Sequence, residues 1–357
     1  MSAHLFEPLT LRNVTFRNRI AVSPMCQYSS EDGFANDWHL VHLGKFATGG
    51  AGLIFTEAAG VEPRGRISPQ DLGIYRDEHV EMLSRITRFI DSQGAVPGIQ
   101  IAHAGRKASS ARPWDGGKPV GIDHGGWSPL AGASPIPFAE GYQTPEPLTE
   151  EGIGEVVRAF GQAAVRSLAA GFRIVEIHGA HGYLLHSFYS QLSNQRTDRY
   201  GGSFENRTRI VREIVEEVRR HWPENLPVFL RISSSDWVEG GWDIEQSVEL
   251  ARSVKPLGVD LIDCSSGGNV ATAPIPAGPG YQTAFAERVR KEAELPTGAV
   301  GFINSAEQAD HIVRTGQADI VLLAREMLRD PNFAIRAGYK LHKTPDIPPQ
   351  YQRAWPG

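Results

Sequence analysis

The chain has 357 residues, a formal net charge of −5 at neutral pH and a charged fraction of 22%. This charge balance argues against nucleic acid or an anionic membrane as a partner, because proteins that bind either one carry a clustered excess of Lys and Arg. No stretch approaches the ~20 apolar residues of a membrane span, the N-terminus lacks the basic and apolar regions of an export signal, and two cysteines are too few for a disulfide framework. We therefore expect a reduced, cytoplasmic protein.

Eight short apolar runs recur along the chain, and most are followed by a helical pattern. Several runs are nearly continuous in Ile, Val and Leu, which is typical of strands buried on both faces. They cover residues 19–25, 52–58, 96–103, 173–179, 227–233, 261–267, 296–302 and 320–326.

Helical periods separate these runs. Apolar stripes begin at Val80, Ile153 and Ile210, and the second of them stops before Gly171, the position of a glycine that ends a helix. Ser305 with Gln308 fits a capping box that opens a further helix.

Strand–helix alternation repeated about eight times predicts a parallel sheet closed into a (β/α)8 barrel, an α/β fold that would hold residues 1–357 as one domain. An open, doubly wound sheet is the alternative. Residues 5–18 predict a β-hairpin across the bottom of the barrel. Residues 104–149 are rich in Gly, Pro, Ser and Trp, which indicates a long functional loop after the third strand, over the C-terminal face.

Polar residues stand where each apolar run stops, and barrel active sites lie at these ends. Gly301, Ala324 and Arg325 at the last two ends suit a phosphate, because small residues let backbone N–H groups approach and a guanidinium adds a bidentate contact. Alternatively, the small residues pack strand on helix and Arg325 forms a surface ion pair. Gln100 and Arg231 inside strands favour a phosphate-bearing cofactor, and no GxGxxG motif indicates a Rossmann site.

His178 and His181 are the two residues that point most specifically to a function. A metal site would need further ligands, whereas two imidazole N–H donors at the end of a strand can meet at one carbonyl oxygen. Buried core histidines are the other interpretation. Tyr183, two residues on, is a potential proton donor, and Cys26 and Cys264 are by default small buried hydrophobes.

Together these motifs resemble the old yellow enzyme family, in its bacterial branch of YqjM-like enzymes and xenobiotic reductases. The likeness covers essentially residues 5–355. It is carried by residues 19–26, 62–67, 100–107 and 178–183, and most specifically by the segment Arg196-Thr197-Asp198-Arg199-Tyr200-Gly201-Gly202-Ser203-Phe204-Glu205-Asn206-Arg207.

The resemblance implies a non-covalently bound FMN, no metal, and three groups of site residues. The flavin ring would be lined by Ser23, Pro24, Met25 and Cys26, with Ala58, Gln100 and Arg231 at its polar edge. The phosphate would be held by Ala324, Arg325, Gly301, Ser266 and Gly267. The substrate would meet His178, His181, Tyr28, Tyr183, Lys107 and Arg353, and catalysis is expected from His178, His181, Tyr183, Tyr28 and Cys26.

The resemblance also implies the reaction. NADPH would reduce FMN, and a hydride would pass from flavin N5 to the β-carbon of an α,β-unsaturated carbonyl compound, with nitro compounds as further substrates. His178 and His181 would stabilise the enolate, and Tyr183 or solvent would protonate the α-carbon. A metal-dependent hydrolase with the histidines as ligands and a cofactor-free binding protein are the alternatives.

Three further expectations concern this chain in particular. Ala324 stands where the family usually has Gly, and its methyl would crowd the phosphate if φ were positive there. The loop at 104–149, with Arg112-Pro113-Trp114, leaves the substrate range open. The tail at 345–357 is expected to reach a neighbouring active site in a homodimer or tetramer, with Arg353 and Trp355 completing the partner's pocket.

Overall fold

A computed structural model, which describes residues 4–355, has a closed barrel of eight parallel strands. The predicted (β/α)8 barrel is confirmed, and the open sheet is wrong. Each barrel strand lies inside a predicted apolar run or extends at most two residues past it. The strands are β1 (Leu9–Leu11), β2 (Val14–Phe16), β3 (Ile20–Val22), β4 (Leu53–Gly60), β5 (Val96–Ala102), β6 (Ala131–Gly132), β7 (Glu146–Pro147), β8 (Ile174–Gly179), β9 (Val228–Ser233), β10 (Leu261–Ser265), β11 (Thr297–Ala299) and β12 (Ile320–Leu323).

The eight barrel strands are β3, β4, β5, β8, β9, β10, β11 and β12. They follow one another in chain order, and β12 pairs with β3 to close the ring. Helices cover its outside. They are α1 (Asp37–Thr48), α2 (Val80–Ser92), α3 (Glu150–Ala169), α4 (Leu184–Tyr189), α5 (Phe204–Arg207), α6 (Arg209–His221), α7 (Ile244–Val254), α8 (Thr283–Ala293), α9 (Ala306–Arg314), α10 (Arg325–Arg329) and α11 (Phe333–Lys340). No helix within residues 4–355 is long and apolar enough to cross a membrane.

The helix boundaries follow the expected signals, with one difference. Gly171 has φ +86° just after α3, as a glycine at the end of a helix should. Ser305 accepts a hydrogen bond from Gln308 N at 3.2 Å, but the Gln308 side chain accepts from Asn304 N and not from Ser305 N. Only half of the predicted capping box therefore forms.

The barrel interior changes from apolar to polar along the strands. At the N-terminal end Leu53, Val96, Phe229 and Leu261 form one apolar cluster with Phe16 of the β1–β2 hairpin, which covers this end of the barrel. Because successive side chains of a strand alternate between the two faces, the next layer of inward positions comes two residues after Ile174, Phe229 and Leu261 on β8, β9 and β10, and four residues after Val96, past Gly98, on β5. Those positions hold Gln100, Glu176, Arg231 and Asp263.

The segment at 104–149 is a long loop, as predicted. It contains short 3-10 turns and the two-residue strands β6 and β7, which pair with each other. Arg106 and Lys107 near its start donate hydrogen bonds to backbone carbonyls of the loop after β10. These bonds fix the loop over the C-terminal face.

Candidate active site

A layer of buried polar side chains lies beneath the C-terminal face. Gln100 Nε2 donates to Glu176 Oε1 at 2.8 Å, and Arg231 Nη1 donates to Ser23 Oγ at 3.1 Å. Arg231 Nε lies 3.2 Å from Asp263 Oδ2. These contacts form two neighbouring groups, Gln100 with Glu176 on β5 and β8, and Arg231 of β9 with Asp263 of β10 and Ser23, which follows β3.

The two carboxyl groups of this layer are not ordinary surface acids. Burial and the charge of Asp263 raise the pKa of Glu176, and burial raises the pKa of Asp263 despite the nearby Arg231. Sequence reasoning missed both residues. Each stands alone as an acid inside an apolar strand, a signal that could have identified them, since an unpaired acid is rarely buried without a partner or a function.

His178 and His181 lie side by side at the end of β8, with ring centroids 5.1 Å apart and an interplanar angle of 80°. Ala180 N donates to His178 Nδ1 at 3.3 Å, so the proton of this imidazole is on Nε2. His178 Nε2 makes no hydrogen bond with a residue between 4 and 355. His181 Nε2 lies 2.7 Å from Ser265 Oγ.

Both imidazoles are neutral in this environment. Burial, followed by the charge of Arg231, holds the pKa of His178 and of His181 well below the usual value. A neutral imidazole is both an N–H donor and an acceptor. The pair is therefore suited to donate hydrogen bonds to an oxygen on which negative charge develops.

Tyr183 borders the histidine pair. Its ring centroid is 5.1 Å from His178 and 6.4 Å from His181, and burial raises the pKa of its hydroxyl, so the phenol keeps its proton. Lys107 lies against the Tyr183 ring at 5.2 Å. Its ammonium donates to the carbonyl oxygens of His181 (2.8 Å) and Gly268 (2.9 Å), so it fastens the site's backbone.

The segment that follows β3, residues 23–28, also contributes to the candidate site. Gln27 N donates to Glu57 Oε2 at 2.9 Å, and Glu57 belongs to an irregular stretch of β4. Pro24, Met25 and Cys26 are half-buried in this segment, and burial raises the pKa of the Cys26 thiol. Tyr28 meets Trp114 of the long loop edge-to-face, with ring centroids 5.7 Å apart.

A small cavity opens between the ends of β11 and β12. It measures about 100 Å³ and is lined in part by Gly301, Phe302, Ala324 and Arg325. The Arg325 guanidinium lies 4.1 Å from the Phe302 ring centroid and makes no ion pair within the described part of the chain, which disfavours the surface ion-pair interpretation. Ala324 has φ −109°, so the crowding expected for a positive φ does not arise.

The other two residues assigned to the phosphate lie beside this cavity's strands without lining it. Ser266 Oγ donates to Gln282 Oε1 at 2.5 Å, and Gly267 has φ +71°. A Cβ on Gly267 would come within 2.8 Å of Ile275. Their roles stay a prediction.

Three large residues around the site have left-handed backbone. Tyr28 has φ +51°, His181 has φ +59° and Phe302 has φ +50°. Such conformations are costly for bulky residues and persist where the surroundings over-determine them, which is common at ligand sites.

The residues present fit the implied FMN. The polar layer contains buried atoms that make no hydrogen bond with a described residue, among them Glu176 Oε2 and Asp263 Oδ1. Such a layer suits the polar edge of a flat heterocycle. The cavity beside Arg325 could take its phosphate. Within residues 4–355 no group of three His, Cys, Asp or Glu side chains could hold a metal ion.

The C-terminal tail folds back on its own chain. Trp355 stacks on Tyr339 of α11, with ring centroids 5.5 Å apart and an interplanar angle of 6°. Arg353 is exposed, in the 3-10 turn Pro349–Ala354, and makes no ion pair with a described residue. Its role in a partner's pocket stays a prediction.

Comparisons with known proteins agree with this geometry. Residues 4–344 match the NADH:flavin oxidoreductase / NADH oxidase family. The chain is 46% identical to an NADPH dehydrogenase of Bacillus velezensis and 45% identical to one of Bacillus subtilis, in each case over 99% of this chain and 100% of the relative. A solved structure of morphinone reductase aligns with a TM-score of 0.79 at 24% identity, covering 98% of this chain and 93% of that one, which bears on the fold alone.

Proposed function

The chain belongs to the NADH:flavin oxidoreductase / NADH oxidase family, and from that premise we propose that it uses FMN and NADPH to reduce the C=C bond of α,β-unsaturated carbonyl compounds. The family membership makes it an oxidoreductase, and the resemblance to old yellow enzymes is confirmed. The observation that supports the finer proposal is the pair of neutral imidazoles, His178 and His181, side by side above a buried polar layer.

FMN would be held at both ends by groups already in place. Gln100 and Arg231 would meet the polar edge of its ring, with Ser23 holding Arg231 in position, and Arg325 would meet its phosphate. The group held there would supply hydride transfer between NADPH and the substrate. The protein supplies orientation and electrostatics.

His178 and His181 would bind the substrate's carbonyl oxygen. Hydride addition at the β-carbon moves negative charge onto this oxygen, so fixed N–H donors stabilise the transition state more than the ground state. One such donor contributes about 2.7–4 kcal/mol. Because both imidazoles are neutral, they donate without adding a charge that would have to be desolvated.

Tyr183 would deliver a proton to the α-carbon. It lies against the histidine pair, and its raised pKa keeps it protonated at neutral pH. Solvent is the other source. Nitro compounds fit the same site, because the nitro group also places an oxygen that gains negative charge on reduction where the two imidazoles can donate to it.

The quaternary arrangement is a further part of the proposal. A homodimer, or two dimers in a tetramer, would let the exposed Arg353 enter the partner's pocket, and a two-fold interface would make the exchange reciprocal. The stacking of Trp355 on Tyr339 of the same chain fixes the end of the tail and leaves the Arg353 side chain exposed. A cytoplasmic location stays a prediction.

A spectroscopic experiment tests this function. Purified protein should be yellow, NADPH should bleach it without oxygen, and 2-cyclohexenone should restore the colour while yielding cyclohexanone. A colourless protein whose activity is lost to chelators would favour the hydrolase alternative. A protein that bleaches and is not reoxidised by enones would retain the flavin chemistry and refute the substrate class.

A further inference from the structure

A buried pair that takes no part in the reaction lies behind the turn carrying His181. His186 of α4 and Asp236, in the loop after β9, are both fully buried, and His186 Nε2 lies 2.8 Å from Asp236 Oδ1. On the other side of the same imidazole, Gly182 N donates to His186 Nδ1 at 2.9 Å. The imidazole therefore joins the His181–Gly182 turn to the loop of the neighbouring strand.

This arrangement allows one tautomer. Because Nδ1 accepts the Gly182 N–H, the proton of His186 must be on Nε2, which lies 2.8 Å from Asp236 Oδ1 although the N–H is not aligned with that oxygen as in an ideal hydrogen bond. Asp236 is itself fixed, since Ser190 Oγ (2.6 Å) and Trp242 N (2.9 Å) both donate to its other oxygen. A carboxylate that holds a histidine in one tautomer and one orientation is a recurrent device of active sites.

The turn needs such support, because it is strained. His181 (φ +59°) and Gly182 (φ +72°) are both left-handed. A Cβ on Gly182 would lie 2.1 Å from Gly268 O, so the turn is pressed against the loop after β10. Without the Gly182 N–H bond, a bulky residue at position 181 would relax toward negative φ, which turns its side chain away.

Three of the four polar groups of His181 have partners within the described residues, and its Nδ1 is the fourth. Its N–H donates to Ser233 Oγ at 2.9 Å, its carbonyl accepts from Lys107, and its Nε2 meets Ser265 Oγ. These partners come from β9, β10 and the long loop, and they hold the residue at its own backbone and ring. The His186–Asp236 pair holds the following residue, because Gly182 N donates to His186 Nδ1.

We propose that His186 and Asp236 are positioning residues for the substrate-binding pair: they hold the left-handed His181–Gly182 turn and thereby keep the His181 imidazole beside His178. This inference rests on the proposed function for its catalytic meaning. The claim that the pair holds the left-handed turn does not depend on the proposed function. Loss of the tie should misplace the His181 donor by a fraction of an ångström to about an ångström, a displacement that costs up to about a hundredfold in rate.

The test compares three replacements of His186. Phe keeps the ring and its stacking on Tyr189 (centroids 4.6 Å apart) but has no nitrogen. Asn places an oxygen near the position of Nδ1 and can still accept from Gly182, whereas Gln reaches toward Asp236 and cannot. Asp236→Asn removes the charge that fixes the tautomer. Ile90→Ala, a buried change in the last turn of α2 and far from the turn, controls for lost stability.

The readouts are FMN content, enone kcat and KM, the Kd of a phenol ligand measured by its charge-transfer band, and a crystal structure of each variant. We expect His186→Phe and His186→Gln to keep FMN, to lose about ten- to a hundredfold in enone kcat/KM and phenol affinity, and to show His181 moved out of the left-handed region. His186→Asn should lose less than His186→Gln. Ile90→Ala should lower Tm while both constants stay within about twofold.

Two results would overturn the inference. One is a His186→Phe protein that matches Ile90→Ala in kcat/KM at equal Tm. The other is a variant structure in which the His181–Gly182 turn is unchanged. If the wild-type protein reduces no enone, the proposed function fails, and the turn conformation in the variants still decides the positioning role.

Discussion

Removing the two imidazoles singly and together examines the oxyanion assignment. His178→Ala and His181→Ala each delete one N–H donor to the developing enolate. The structure gives no reason for FMN loss, because the polar layer of Gln100 and Arg231 and the cavity at Arg325 do not use these rings. Each variant should therefore bind FMN normally and lose about 10²–10³-fold in enone turnover, the equivalent of about 2.7–4 kcal/mol.

The double variant carries more information than either single one. If the two donors acted independently, the losses would multiply to roughly 10⁴–10⁶-fold. The rings lie 5.1 Å apart and in the proposed mechanism would bind one substrate oxygen. Removing the first ring would therefore already loosen the substrate position on which the second donor depends. We expect the double loss to stay near 10³–10⁴-fold, a coupling of about 1–3 kcal/mol.

The assay mixes reduced protein with enone in the absence of oxygen and follows flavin reoxidation, with FMN and metal content measured on the same preparations. Phenol-type ligands should bind poorly to all three variants. Wholesale loss of FMN from either single variant, or a metal present in the wild type and absent from a variant, would refute the oxyanion assignment.

The remaining predictions concern other parts of the molecule. Cys26→Ala should shift the flavin reduction potential by tens of millivolts and leave the enzyme active, because the thiol alters the field near the ring without reacting; potentiometry checks this, and inactivation at unchanged potential would contradict it. Arg325→Ala should weaken FMN retention on dialysis about tenfold or more while leaving the fold intact by circular dichroism, since it removes a charged phosphate contact. Deleting residues 351–357 should raise KM for the enone and shift sedimentation toward monomer with FMN still bound; unchanged kinetics and sedimentation would assign the tail no role. Burial, then the charge of Lys45, lowers the pKa of His42 to about 3. The unfolded chain protonates His42 below about pH 6.5, whereas the folded chain keeps it neutral down to about pH 3. The free energy of unfolding should therefore fall as the pH drops from about 6.5 toward 3, by on the order of 1 kcal/mol at one unit below 6.5. Denaturation of His42→Gln should lack that part of the decline.

Much of the fold was readable because its signals are local. Buried strands are continuous apolar runs, so the eight barrel strands could be located from the sequence. The same apolar runs predict His178 and His181 at the end of one strand and Arg231 inside the next. A cavity does lie at Arg325, where the sequence predicts a phosphate, and Ala324 has there a backbone angle that no sequence pattern reveals.

The features that the sequence did not predict depend on contacts between distant segments. Glu176 and Asp263 meet Gln100 and Arg231 only when four strands close side by side. The hydrogen bonds of Lys107 are another case, since its ammonium donates to carbonyls 74 and 161 residues away. Its predicted contact with the substrate stays a prediction. The sequence shows which residue types stand at the strand ends. The hydrogen-bond partner of each side chain depends instead on the register of the strands and on how the loops pack.

Isotope tracing tests the central claim most directly. The protein is given 2-cyclohexenone with NADPH deuterated at the transferable position of the nicotinamide in ordinary water, and then unlabelled NADPH in deuterium oxide. The account predicts label from the nicotinamide at the β-carbon of cyclohexanone, and solvent label at the α-carbon. Nicotinamide label at the carbonyl carbon of an allylic alcohol, or no reduced product at all, would contradict it.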